Sequence, residues 1–68
     1  MTLKMYLKKY GLAQAEKVAL AAGTNMANYK LIMRGGSVSR VLAERLSQAT
    51  YGEVSELEIL YVERYEVM

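Results

Sequence analysis

The segment ALAAGTNMANYKLIMRGG, residues 19–36, contains an alanine-rich helical pattern that stops at Gly23 and a second helical pattern that begins almost at once. Two short helices joined by so short a turn can pack at a steep angle only if the side chains at their crossing point are small. Ala19 meets this requirement, and Gly23 permits the positive φ that redirects the chain. The spacing therefore predicts two packed helices with a tight turn between them.

Apolar residues on both sides of this turn are spaced to face each other. Val18 and Ala22 share one face of the first helix, and Tyr29 and Ile32 share one face of the second. A small residue at 19, a glycine at 23 and apolar residues at 18, 29 and 32 have the spacing of a helix-turn-helix over about 13–34. The second helix of such a unit can protrude into the major groove of DNA.

Further helices are predicted on both sides of this pair. Thr2, Ser39 and Ser55 are suitable N-caps, Glu58 completes a capping box with Ser55, and Gly11 ends the first helix. The predicted helices cover about 3–10, 13–22, 25–33, 40–49 and 55–60. Because each is too short to be stable alone, we expect an all-α, compact bundle of four to five short helices.

Apolar spacing predicts which side of the outer helices faces the core. One face of the first helix carries Leu3, Tyr6, Leu7 and Tyr10. The predicted stripe of the helix at 40–49 carries Leu42, Arg45, Leu46 and Ala49, with Arg45 at its edge.

The C-terminal segment allows two interpretations. Its apolar residues fit a helical stripe, yet most of them are also strong strand formers. No other segment of the chain is predicted to be a strand. The backbone groups of an extended segment 60–67 must therefore pair with another molecule, most simply with the same strand of a second copy. We favour the strand, and we predict a domain at 1–59 followed by a dimerising tail at 60–68. The residues expected at the dimer contact are Tyr61, Val62, Tyr65 and Val67.

The composition excludes most enzyme chemistry. The 68 residues include no His, Cys or Asp, so the usual general bases, thiol nucleophiles and metal ligands are missing. We expect no enzymatic activity, no cofactor, no metal and no small-molecule substrate. No apolar run approaches the ~20 residues that span a bilayer, and the N-terminus does not read as a secretory signal. We therefore expect a cytoplasmic protein with no membrane partner.

Charge is divided unevenly along the chain. Residues 1–45 carry eight basic side chains against two glutamates, a net charge of +6. Residues 46–68 carry one arginine against five glutamates, a net charge of −4. A basic body with an acidic tail indicates a polyanionic partner for the body and a different role for the tail.

Three features in register resemble the Cro/C1-type helix-turn-helix family, and most closely its small phage and prophage YdaS/Cro-like regulators. They are Ala-Gly-Thr at the turn, Ser39 before the segment LAERL, and the segment ATYGEVS that follows it. The match covers about residues 12–60. Members often carry a phosphate-binding glutamine where this chain has Ala15, and a smaller aliphatic residue in place of Tyr29. The resemblance implies a transcriptional regulator, commonly dimeric, that binds operator DNA in a bacterial or phage-infected cell.

The helical wheel of the second motif helix predicts which residues face DNA. Opposite the inward face lie Ala27, Lys30, Leu31 and Arg34, with Asn28 at one flank. Asparagine can read adenine, basic side chains can read guanine, and small apolar side chains can contact the thymine methyl. The best candidates for base reading are Asn28, Lys30 and Ala27, while Lys30 and Arg34 have phosphate neutralisation as an alternative. The remaining candidates at helix starts, mainly for phosphate contacts, are Thr24, Asn25, Ser39 and Arg40.

Simpler interpretations stay open at this point. Asn25 has the alternative role of a helix cap, and Asn28 and Lys30 can be ordinary solvated positions. The apolar character of the second motif helix, through Met26, Ala27, Leu31 and Met33, also supports a protein-interaction module on the same scaffold, such as an antitoxin or a phage inhibitor of a host protein. A purely oligomerising role is a third possibility, but it leaves the +6 body unexplained.

Overall fold

A computed structural model of the chain describes residues 1–61. The helices are α1 (Leu3–Tyr10), α2 (Leu12–Ala21), α3 (Met26–Met33), α4 (Arg40–Ala49) and α5 (Glu56–Leu60). No strand occurs within residues 1–61. The predicted all-α bundle of four to five short helices is confirmed, and the observed helix bounds lie within about one residue of the predicted ones.

Side-chain caps begin four of the five helices. Thr2, Asn25, Ser39 and Ser55 each accept a hydrogen bond from a backbone N–H three residues later. At Ser55 the Glu58 side chain also accepts from the Ser55 backbone N–H, which completes the predicted capping box. These caps supply partners for N–H groups that a helix start otherwise leaves unpaired, and so they define where the short helices begin.

The helices α2, α3 and α4 all end at a residue in the left-handed region. That residue is Gly23 (φ 85°) after α2, Gly35 (φ 94°) after α3 and Tyr51 (φ 55°) after α4, where Gly52 (φ 81°) follows with a positive φ of its own. In each case the next residue donates its backbone N–H to the carbonyl five positions earlier, at 2.8–2.9 Å. This is the Schellman arrangement, in which glycine is the usual residue. Tyr51 departs from that rule, and its side chain is 94% exposed.

The core lies where α2 meets α1, α3 and α4, and it extends to α5, which packs on α4. Its buried apolar residues are Leu3, Tyr6, Ala15, Val18, Ala19, Ala22, Tyr29, Ile32, Ala43, Leu46, Val54 and Ile59. The predicted stripe of α4 is wrong at one position, because Arg45 is exposed and Ala43 is buried. The face of α4 that packs against α2 therefore includes the small residue Ala43 in place of Arg45. Tyr10 on α1 was also predicted to face the core, but it is exposed and donates its hydroxyl to Glu53.

The C-terminal strand prediction is partly outside the described residues. Leu60 is the last residue of α5 and Tyr61 is its C-cap, so a strand that begins at 60 is wrong at its first position. The other predicted dimer residues, Val62, Tyr65 and Val67, lie outside the described residues.

Candidate functional site

The turn between α2 and α3 brings the two helices into close contact. Ala19 at the crossing and Val18 beside it are buried, and so are Tyr29 and Ile32 on the facing side of α3. Gly23 adopts φ 85° and allows the N–H of Thr24 to reach the carbonyl of Ala19 at 2.9 Å. The turn and the two inward faces predicted from residue spacing are confirmed.

Tyr29 fixes α3 to α1 as well as to α2. Its ring is fully buried, and its hydroxyl donates a hydrogen bond of 2.7 Å to the backbone carbonyl of Leu3. Burial, assisted by the nearby Tyr6, raises the pKa of Tyr29 well above its usual range, so its hydroxyl stays protonated and remains a donor. The rotation of α3 about its own axis is therefore set by a specific polar contact in addition to apolar packing.

The opposite face of α3 is open to solvent. Ala27, Lys30, Leu31 and Arg34 are all exposed, as the helical wheel predicts, and Leu31 is 57% exposed. Residues four apart are neighbours on a helix surface. Ala27 and Leu31 therefore form an apolar row, and Lys30 and Arg34 form a basic row beside it. We call these four residues the outer face of α3.

The polar residues at the start of α3 are engaged in local hydrogen bonds. The Asn25 side chain accepts from the backbone N–H of Asn28 at 2.8 Å, so Asn25 does act as the helix cap. The Asn28 side-chain amide donates to the Thr24 hydroxyl at 2.8 Å, and both side chains are half-buried. One N–H of the Asn28 amide is thus directed toward the turn. Thr24 is bonded through its backbone N–H to Ala19 and through its hydroxyl to Asn28 of α3.

The segment between α3 and α4 returns close to the end of α3. A Cβ atom at Gly36 would lie 2.7 Å from the carbonyl oxygen of Leu31, so only glycine fits here without a shift of the backbone. Ser39 then caps α4 by accepting from Leu42 N–H at 3.1 Å, and Arg40 is exposed at the first position of that helix. Ser39 is thus a cap, and Arg40 adds a cation at the start of α4.

Arg45 belongs with these cations, although no sequence pattern indicates that it lies there. Its Nη1 atom lies 3.6 Å from the position that a Cβ atom would take at Gly23. The guanidinium therefore lies against the turn between α2 and α3. Arg45 and Gly23 come together because α4 packs on α2, and no local sequence pattern predicts that packing.

The basic side chains at this end of the molecule have no acidic partner among residues 1–61. Within residues 1–61 the ion pairs are those of the Met1 ammonium with Glu58 and of Lys9 with Glu53. The cations without an ion pair include Lys30, Arg34, Arg40 and Arg45. Their charge is available to an external anion.

The start of α2 differs from the pattern of the family that the sequence resembles. Ala15 is fully buried, and the neighbouring Gln14 donates its amide to the Tyr6 hydroxyl at 3.3 Å. Gln14 is therefore turned toward α1.

Within the described part of the chain, no group of three or more acidic side chains is placed to hold a metal ion. The helices of residues 1–61 also include none with the length and apolar character needed to cross a membrane. Comparison with family models, with curated proteins and with solved structures gave no match to this chain.

Proposed function

We propose that this chain is a sequence-specific DNA-binding regulator of transcription, of the phage repressor type, that inserts α3 into the major groove of operator DNA. The observation that carries the proposal is the division of α3 into two faces. Tyr29 and Ile32 are fully buried on one side, while the outer face of α3 is exposed on the other. Reading a groove requires a short helix whose inner face is firmly packed on the domain and whose outer face is accessible to DNA.

Electrostatics supports DNA as the partner. The four cations named above, which have no ion pair within residues 1–61, lie on α3, at its C-cap and on α4, and one of them lies beside the turn. Neutralising phosphates with such side chains releases counterions and supplies most of the sequence-independent affinity for DNA. The proposed site of action is the cytoplasm of a bacterial or phage-infected cell, where operator DNA is present.

The proposed regulator acts as a homodimer. Leu57 on α5 is more than half exposed, and Tyr61 follows it one helical turn later. The exposed apolar surface of Leu57 and Tyr61 favours contact with a second copy. Light scattering tests dimerisation, because it measures the molecular mass in solution. Leu57→Glu should lower that mass from the value of a dimer toward that of a single chain. A wild-type mass of one chain at all concentrations would contradict dimerisation.

Salt dependence of binding to a duplex tests the proposed interface. The slope of log affinity against log salt should be steep for the wild type and should fall by about one for Arg34→Ala, the loss expected for one phosphate contact. Lys9→Ala is the matched control. It also removes one positive charge, but from a side chain that pairs with Glu53 and is not part of the proposed interface. An equal change of slope in both variants would remove Arg34 from the interface.

A second candidate function is that of a protein-interaction module. Leu31 on α3, Leu20 on α2 and Val41 on α4 are all more than half exposed, and such side chains offer apolar contacts to a protein partner. An electrophoretic shift with random duplex at low salt separates the two functions. Binding supports the DNA-binding regulator, and its absence supports the interaction module.

A further inference from the structure

The outer face of α3 combines apolar and basic chemistry, with few free hydrogen-bonding groups for reading bases. Ala27 and Leu31 form its apolar row, and Leu31 leaves 57% of its surface exposed. Lys30 and Arg34 stand beside this row without an ion pair in the described residues. A basic border favours an anionic partner, while the apolar row must meet an apolar group on that partner.

The two asparagines are less free than their positions in the sequence indicate. The carboxamide oxygen of Asn25 is used by the Asn28 N–H, and the carboxamide nitrogen of Asn28 is used by the Thr24 hydroxyl. The Asn25 group is thus directed to the first turn of α3, and the Asn28 group to the turn between α2 and α3. The centre of the exposed face is left to aliphatic carbon.

Aliphatic side chains find one apolar feature among the base edges of the major groove, the C5-methyl group of a pyrimidine. We propose that Ala27 and Leu31 recognise C5-methyl groups, while Lys30 and Arg34 neutralise the flanking phosphates. This inference rests on the proposed DNA-binding function and names the chemistry that the same face selects. Thymine and 5-methylcytosine both carry the methyl group.

With α3 lying along the major groove, the helix geometry also sets the spacing of the two methyl groups. Residues four apart on a helix are separated by about 6 Å along its axis. Successive bases on one strand are separated by about 3.4 Å. The methyl groups met by Ala27 and Leu31 should therefore lie about two base-pair steps apart.

Replacing thymine by uracil tests this inference, because it removes the methyl group and leaves base pairing intact. The probe is a duplex selected by the wild-type protein from a random library, with each thymine replaced in turn. Affinity should fall about fourfold at two positions about two steps apart, the effect of exposing one buried methyl-sized group. Placing cytosine or 5-methylcytosine at those positions distinguishes the two sources of the methyl group. A gain with 5-methylcytosine shows that either base is accepted, whereas no gain restricts recognition to thymine.

Matched variants assign the effect to the outer face of α3. In Leu31→Ala the uracil effect should disappear at one position and persist at the other. In Lys30→Ala the thymine and uracil duplexes should weaken by the same factor. Both side chains are exposed, so both variants should fold.

The outcomes separate the inference from the function on which it rests. Selective DNA binding with no uracil effect at any position would overturn the inference and leave the proposed function standing. A uracil effect that Leu31→Ala leaves unchanged would also overturn it. Failure to bind any duplex would overturn the proposed function itself.

Discussion

The hydroxyl of Tyr29 donates a hydrogen bond of 2.7 Å to the backbone carbonyl of Leu3, which lies 26 residues earlier in the chain. The bond joins the middle of α3 to the first residue of α1. Because Tyr29 is fully buried, this contact fixes which side of α3 faces inward. The exposure of the opposite side, on which the proposed function depends, is a direct consequence.

Removing only that hydroxyl should destabilise the fold. For Tyr29→Phe we expect the free energy of unfolding to fall by about 1 kcal/mol, the typical contribution of one hydrogen bond, with the ring still filling its site. Denaturant titration measures the change. Tyr10→Phe is the control, since its hydroxyl bonds to Glu53 at the surface and should contribute less. Equal losses in the two variants would contradict a special role for Tyr29.

Stability should also decline at alkaline pH because of Tyr29. Burial raises the pKa of Tyr29 in the folded protein, whereas in the unfolded chain it titrates near its ordinary value of about 10. Above that pH the unfolded state loses a proton that the folded state keeps. Stability is therefore fully present below about pH 10 and falls above it, by at most about 1.4 kcal/mol per pH unit from this group. Tyr29→Phe should flatten the curve, and parallel curves would contradict the assignment.

Two substitutions at equivalent helix ends should have opposite effects. Gly23→Ala should lower the free energy of unfolding by about 1–2 kcal/mol, since alanine is strained at φ 85° although its Cβ atom would meet only Arg45 at 3.6 Å. Tyr51→Gly should raise it by up to about 1 kcal/mol, because glycine relieves the left-handed strain and the exposed ring has few contacts to lose. A loss of stability in Tyr51→Gly would show that the ring makes stabilising contacts.

Glu58 should make the fold sensitive to acid. Burial raises the pKa of Glu58, but hydrogen bonds from the Ser55 backbone, the Met1 ammonium and the Ser55 hydroxyl outweigh it and hold the pKa below its usual range. Its stabilising effect is therefore present above the unfolded pKa of about 4.3 and is lost as the pH falls through the lower folded value. Glu58→Gln should be less stable at neutral pH and should lose less on acidification.

Ser55→Ala provides the graded comparison for that experiment. It removes the hydroxyl that bonds to Glu58 but keeps the Met1 ammonium as a partner. Its acid-induced loss should lie between those of the wild type and Glu58→Gln. Identical pH dependence in all three proteins would show that Glu58 does not govern acid stability.

Thr24 should influence base preference through Asn28. Under the proposed function, Asn28→Ala should relax base preference at one position of the selected site. Thr24→Ala should weaken preference at the same position, because it removes the hydroxyl that orients the Asn28 amide. Sequencing of selected duplexes measures both effects. Uniform weakening across all positions would show that Asn28 does not read sequence.

The helix boundaries were predictable because their signals are local. Thr2, Ser39 and Ser55 cap helices through bonds that reach only three residues ahead, and Gly23 and Gly35 end helices through their own φ angles. Tyr29 and Ile32 were correctly placed inside, since apolar spacing within one helix defines its buried face.

The contacts that organise the site were less predictable because they depend on how helices pack. No sequence pattern indicates that Tyr29 bonds to Leu3 or that Arg45 lies beside Gly23. Apolar spacing in α4 predicts a buried stripe that includes Arg45, whereas the structure buries Ala43. Alanine gives little periodic signal because it is small. The same small side chain allows α2 and α4 to approach closely.

Selection of duplexes from a random library by the wild-type protein tests directly whether α3 reads DNA. We expect enrichment of a palindromic consensus whose half-sites are centred about one helical turn, roughly 10 base pairs, apart. We also expect thymines within each half-site at the spacing set by Ala27 and Leu31. Recovery of the library without enrichment of any sequence would contradict the claim that α3 reads DNA.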